Sequence, residues 1–271
     1  MRNKSCVHGI PLTMSEYKPS HLVLDKSFFD GCNLQEMETI AQSGMRFIVT
    51  AELHVEICTT NHLRKQSLEK LHKLSECIDL LEIRSLYKYE LEKHCASSPV
   101  TAHFIKGAFN PNFDFEFTDE QTKIIKEEQN YLERESADAF LEIAKEVVAK
   151  SRGFMCLDVC QPDVIREVYG RLRAASSRLP ESDLLDEKWA LYRKVQVDLL
   201  GTLDYMQNYH GGQFQLGQER RAHDQVDFRV CIVGALAGAL ATNDDKVAEY
   251  FRTICPSGFL LNPTKLSKGA Q

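Results

Sequence analysis

Asp227-Phe-Arg-Val-Cys-Ile-Val-Gly-Ala-Leu-Ala-Gly-Ala-Leu-Ala-Thr-Asn-Asp244 is the stretch that decides how this chain is read. Small residues crowd its middle, and an acid stands at each end. The run predicts a close-packed helix from Asp227 to about Leu240, then a brief strand at Ala241-Thr242 that delivers Asp244 just past its end. Near the start of the chain, His21-Leu-Val-Leu-Asp-Lys-Ser-Phe-Phe29 has a matching form. There Leu22-Val-Leu24 is apolar on both alternating faces, as in a strand covered on two sides, and Asp25 follows at once. Ligands of a parallel α/β sheet bind outside the carboxyl ends of its strands, so Asp25 and Asp244 are expected at one crevice. Carboxylates gathered in such a place are costly unless a cation compensates them.

Working outward, Leu34 to Gln42 reads as a helix with Asn33 as N-cap and Gly44 as stop. Phe47-Ile-Val-Thr50 returns as a strand, and Ala51 through Cys58 turns helical again, which places Glu56 in the first turns after that strand. Leu63 to Leu91 carries Leu68, Leu71, Leu74, Ile78 and Leu81 at spacings of three and four, the mark of an amphipathic helix. Residues 96–118 break this rhythm and end in the alternation Phe113-Asp-Phe-Glu-Phe117, which suits a short strand or a loop pinning three aromatics. Helices are expected over Glu120 to Lys150, Pro162 to Ala175 and Ser182 to Asn208. A glycine-bearing loop, Tyr209-His-Gly-Gly-Gln-Phe-Gln-Leu-Gly217, follows. After the Asp227–Thr242 stretch, a helix from Lys246 to Ile254 and a last strand at Phe259-Leu-Leu261 restore α/β character. The organisation is thus an irregular lead-in (1–20), an α/β core from both chain ends (21–60 and 220–262), a mostly helical insertion (61–219) and a tail (263–271).

Composition narrows the class. The chain has 271 residues, 43% of them hydrophobic, so it can bury a core; 27% are charged and only 8 are prolines, which favours a helix-rich globular protein. A net charge of −6 and a pI near 5.9 argue against a dedicated nucleic-acid coat, so any nucleic-acid contact falls to local patches. The nine cysteines are odd in number and dispersed, and no signal peptide precedes them, so reduced thiols in a cytoplasmic protein are expected. No apolar run approaches the roughly 20 residues of a membrane span. Cys156-x-x-x-Cys160 and His94-Cys95 lack the second pair that a zinc ribbon or finger needs, so core cysteines are favoured over a zinc site.

The four acids and their order resemble the PIN-domain nuclease superfamily. In that family a strand ends in Asp, a second strand leads to a helix carrying Glu, and a later helix opens with Asp and packs small residues before a strand ending in Thr-x-Asp. Asp25, Glu56, Asp227 and Thr242-Asn-Asp244 match in turn. The likeness covers about residues 21–60 and 220–262. Two features depart from it: Lys26 stands where the family usually has Thr, Ser or Asn, though Ser27 follows, and the second and third acids are unusually far apart, which implies a large helical insertion.

The resemblance implies a PIN-like parallel sheet flanked by helices, and phosphodiester hydrolysis assisted by Mg²⁺ or Mn²⁺ with RNA favoured over DNA. It assigns Asp25 and Asp244 as direct metal ligands, Asp227 as a third, and Glu56 to a second metal or to the attacking water. Arg220, Arg221 and Arg229, near the third acid in sequence, are candidates for holding substrate phosphate, because guanidinium groups bind phosphate bidentately. Each acid also has an ordinary structural role open to it. Asp25 suits the cap of a strand-to-helix turn, Asp227 a helix N-terminus and Asp244 the N-cap of the next helix. Glu52 rivals Glu56; Asp224 and Asp245 rival Asp227 and Asp244. His210, His223 and Gly211-Gly212 suit a mobile loop or a plain connector, and Tyr209 and Phe214 suit base stacking or packing.

A toxin or defence effector restrained by a protein partner fits such chemistry, with self-assembly left open and no membrane association expected. Two other functions compete. A haloacid-dehalogenase-like phosphohydrolase also begins with Asp at a strand end, but it wants a second Asp where Ser27 stands. A catalytically silent PIN-like scaffold would have Lys26 neutralising part of the old site.

Overall fold

The computed structural model describes residues 19–59, 64–105, 160–174, 178–208 and 218–262, with isolated positions between 120 and 158. Its centre is a five-stranded, all-parallel sheet in the order β3-β2-β1-β4-β5. The strands are β1 (His21–Leu24), β2 (Arg46–Thr50), β3 (Ile78–Leu81), β4 (Ala239–Ala241) and β5 (Phe259–Leu261). Pairing is in register from Leu22 on Phe47 and Val23 on Leu240 outward to Leu240 on Leu260. The helices are α1 (Lys26–Gly31), α2 (Leu34–Gln42), α3 (Ala51–Thr59), α4 (Arg64–Lys73), α5 (Ile83–Lys93), α6 (Pro162–Ala174), α7 (Ala190–Asn208), α8 (Gln218–Ala237) and α9 (Asp245–Ile254).

Strand residues alternate between two cores, as period-2 side chains must. Leu22, Leu24, Phe47, Val49, Ala239 and Ala241 join Phe28, Met37, Leu53 and Leu71 from α1 to α4 on one face. Val23, Ile48 and Leu240 join Leu86, Ile165, Leu199, Ile232 and Phe251 from α5 to α9 on the other. Both faces are covered, which explains why β1, β2 and β4 read as unbroken apolar runs. Among the described residues no helix is long and apolar enough to cross a membrane.

The expected α/β architecture is present, with differences inside the middle segment. Leu63–Leu91 is not one helix: α4 ends at Lys73, a 3₁₀ turn follows, and β3 takes the sheet edge before α5 begins. The segment 61–219 therefore gives the sheet a strand, and its described helices belong to both core layers. Ser182–Asn208 likewise splits into a 3₁₀ turn at Ser182–Leu184 and α7. The helix expected to open at Asp227 begins at Gln218, and β4 lies slightly earlier than Ala241-Thr242. The Phe113–Phe117 alternation, the Tyr209–Gly217 loop, residues 1–18 and 263–271 and most of Glu120–Lys150 lie outside the described residues.

Two devices fix the helices that carry the site. At Gly201 of α7 an added Cβ would lie 2.3 Å from Phe228 Cζ, so only glycine permits this approach of α7 to α8. Glu90, fully buried on α5, accepts hydrogen bonds at Oε1 from the Ala190 (2.6 Å) and Ser97 (3.1 Å) amides and at Oε2 from Leu191 N (2.9 Å). It thereby caps the start of α7. Burial raises its pKa, while its hydrogen bonds work in the opposite direction. Glu90→Ala strands these donors and is expected to cost about 3 kcal/mol in urea unfolding; a loss under ~0.5 kcal/mol would show that the cap contributes little.

Candidate active site

The strand order reverses between β1 and β4, whose crossover connections leave the sheet in opposite directions. That switch point is where open α/β sheets form a ligand crevice. Asp25 stands at its rim: its amide donates to Ala241 O (3.0 Å), continuing the β1–β4 ladder by one residue. Thr242, Asn243 and Asp244 leave β4 beside it. Asp25, Lys26, Ser27, Asp30, Leu53, Glu56, Val226, Asp227, Val230 and Asp244 line one cleft of about 330 Å³.

Hydrogen bonds lock the ends of β1 and β4 together. Asp25 is buried, and its Oδ2 accepts from Thr242 Oγ1 (2.7 Å) and from Ser27 Oγ. Ser27 Oγ in turn accepts from the amides of Asn243 (2.9 Å) and Asp244 (3.1 Å), and Asn243 Nδ2 donates to Ser27 O (3.0 Å). A Cβ at Gly31 would meet Asn243 Nδ2 at 2.7 Å, so glycine lets the end of α1 close on this loop. Asp25 makes no side-chain cap bond to α1, which removes the capping role open to it. Asp244 does cap α9, but through Oδ1 alone, which accepts from Lys246 N (2.7 Å) and Val247 N (3.1 Å). For the cation that the resemblance implies, Ser27→Ala or Thr242→Val should each loosen Asp25 and weaken binding about 10–100-fold, the usual cost of losing a group that orients a ligand; calorimetric titration with Mn²⁺ reads this, and unchanged affinity would assign both hydroxyls a purely structural role.

Asp227 enters from the middle of α8, so it is not the helix-opening acid that the sequence suggests. Among the described residues nothing donates a hydrogen bond to its carboxylate. Burial, then the negative charges of Asp25, Asp244 and Asp224, push its pKa up to about 8, with Lys246 pulling the other way. A mid-helix acid held in this state has no capping duty to explain it.

The rivals are placed elsewhere, with Asp245 exposed and outside the cleft lining. Asp224, one turn before Asp227, accepts from Tyr205 and from Lys246 Nζ (3.1 Å), which also pairs with Asp204 (3.3 Å). Glu52 is buried and pairs with Arg229 at 3.2 Å, whereas Glu56 faces the cleft and pairs with Lys26 at 3.4 Å. Arg229 is thus engaged with Glu52 and does not line the cleft. Arg220 and Arg221 lie on the first turn of α8, and their side chains fall outside the described set. Sequence reasoning misses the Tyr205–Asp224–Lys246–Asp204 network and undervalues Ser27; only the Thr-x-Asp spacing hints that a hydroxyl serves Asp25.

The cation implied by the resemblance can be tested against these donors. All are carboxylate oxygens, the type hard cations prefer, and Asp25 Oδ1, Asp244 Oδ2 and both Asp227 oxygens are uncommitted among the described contacts. Yet no group of three His, Cys, Asp or Glu side chains among the described residues is placed to hold a metal ion. The chemistry of the set fits a hard cation; its carboxylates would have to draw inward to hold one. No protein-family model, curated protein or solved structure matches the chain.

Proposed function

We propose that the chain is a divalent-metal-dependent nuclease on a PIN-like fold, hydrolysing phosphodiester bonds in RNA in preference to DNA, in the cytoplasm and under the restraint of a protein partner. One observation carries this reading. Three carboxylates from separate segments, Asp25 after β1, Asp244 after β4 and Asp227 within α8, line a single cleft at the point where the strand order reverses. Among the described residues Asp227 is neither paired nor a cap, and burial followed by its acidic neighbours raises its pKa; Asp25 and Asp244, each hydrogen-bonded through one oxygen, keep the other uncommitted.

Asp25, Asp227 and Asp244 would hold Mg²⁺ or Mn²⁺. Such an ion supplies Lewis acidity and a water that deprotonates nearer neutral pH. Ser27 and Thr242 fix the direction of the Asp25 carboxylate, and the α9 cap does the same for Asp244. Leu53, Val226 and Val230 form the apolar part of the cleft lining. Glu56 faces the cleft as the partner of Lys26.

The test is a substrate panel: labelled single-stranded RNA, single-stranded DNA and p-nitrophenyl phosphate, each with Mn²⁺. RNA should be cut fastest and the phosphomonoester left intact. Hydrolysis of the phosphomonoester alone would replace this reading with the haloacid-dehalogenase-like one. Inactivity on every substrate combined with capture of a stable partner would favour the silent scaffold.

A further inference from the structure

The charges lining the cleft fall into two groups. Asp25, Asp227 and Asp244 form one, around the ends of β1 and β4 and the middle of α8. The other contains Lys26, whose ammonium lies 3.4 Å from Glu56 Oε1 and 4.0 Å from Asp30 Oδ2, with all three side chains lining the same cleft. The lysine side chain is 31% exposed, so the three charges meet half-buried at the wall of the cleft.

Building on the proposed nuclease function, we propose that Lys26 takes the place of a second metal ion: its ammonium compensates Glu56 and Asp30, and a single divalent cation is held by Asp25, Asp227 and Asp244. Paired metal ions in nucleases stand roughly 3.5–4 Å apart and share carboxylates between them. Here the carboxylate available to a second ion, Glu56, is already paired with a cation, and that cation would repel another in the same span. Lys26 directly follows Asp25 in the chain, so its charge is fixed beside the ligand set by the turn from β1 into α1. An ammonium has three N–H donors. Within ion-pair range of Glu56 (3.4 Å) and Asp30 (4.0 Å), that of Lys26 can also make the point-charge contact to a non-bridging phosphate oxygen that lysine makes well. Lys26 thereby acts as a charge that a metal would otherwise supply, and the residue that departs from the family pattern becomes part of the site.

The experiment counts bound ions. The full chain, with its fold checked by circular dichroism, is titrated with Mn²⁺ and followed by electron paramagnetic resonance. Wild type should bind one ion and give the spectrum of an isolated Mn²⁺. Lys26→Ser and Lys26→Met should each bind two, with the broadened spectrum of coupled neighbours, and Lys26→Arg should return to one. Two ions in wild type, or one ion in both charge-removing variants, would overturn the role of Lys26 while leaving the proposed metal site standing. A wild type that binds no Mn²⁺ would overturn the metal-dependent reading itself, and this inference with it.

Discussion

Asp25→Asn is expected to reduce phosphodiester cleavage by at least about 100-fold while leaving the fold intact, a larger loss than removal of a group that only orients a ligand. Asn keeps the size of Asp and an oxygen that accepts from Thr242 and Ser27, so the network joining β1 to β4 survives. What disappears is the negative charge that a hard cation requires. The loss should therefore be seen in Mn²⁺ affinity and in kcat together, with a melting temperature near that of wild type. Unchanged cleavage would remove Asp25 from the site; collapse of the fold would assign it to the β1–β4 junction alone.

Asp227→Asn should instead stabilise the cation-free protein. The folded pKa of Asp227 is raised from an ordinary 3.8 to about 8, chiefly by burial and then by the charges of Asp25, Asp244 and Asp224. For a group shifted in this direction the stabilising contribution is fully present below the unfolded pKa and is lost as pH rises through the folded one. Wild type therefore loses stability between pH 3.8 and about 8, and the Asn variant avoids that loss. Its advantage should be absent near pH 3.5, grow across the interval and level off above it at up to about 5 kcal/mol, since each tenfold change in acidity corresponds to about 1.4 kcal/mol. Mn²⁺ should reverse the order, because a cation that binds only the native wild type raises its stability. A difference independent of pH, or a variant less stable than wild type at pH 9, would mean that the carboxylate has a structural partner.

Much of the sheet is legible in the sequence because its strands are buried on both faces and are short, apolar and bounded by acids or caps. Asn33 forms the reciprocal capping box with Glu36, and α2 occupies the stretch that this signal predicts. The missed strand has a specific cause. Ile78 and Leu81 are three residues apart, a helical spacing, but in β3 an odd separation places them on opposite faces, Ile78 in one core and Leu81 in the other. Together with Leu71 and Leu74 on the preceding elements they imitate a single amphipathic helix. The early start of α8 is hidden because Gln218–Gln225 is polar and contributes no apolar stripe.

The site is legible to the extent that it depends on strand ends. Asp25 and Asp244 each follow a short apolar run, and those runs, as β1 and β4, are enough to place both acids at one crevice. Arg229 cannot be placed in this way, since proximity in sequence to Asp227 says nothing about direction: two residues along an α-helix turn a side chain by about 200°. It accordingly pairs with Glu52, away from the cleft. Lys246 escapes notice for the converse reason, because its partners Asp204 and Asp224 lie on two other helices and meet it only through packing.

The central claim, that the Asp25–Asp227–Asp244 cleft performs metal-dependent phosphodiester cleavage, is tested most directly by following labelled single-stranded RNA with wild type and Asp244→Asn side by side. Each is assayed in Mn²⁺, in excess chelator, and after Mn²⁺ is restored. Wild type should cut the RNA, stop in chelator and recover, while Asp244→Asn should stay inactive throughout with its α9 cap preserved by the Asn oxygen. Cleavage that persists in chelator, or equal activity in the two proteins, would contradict the account.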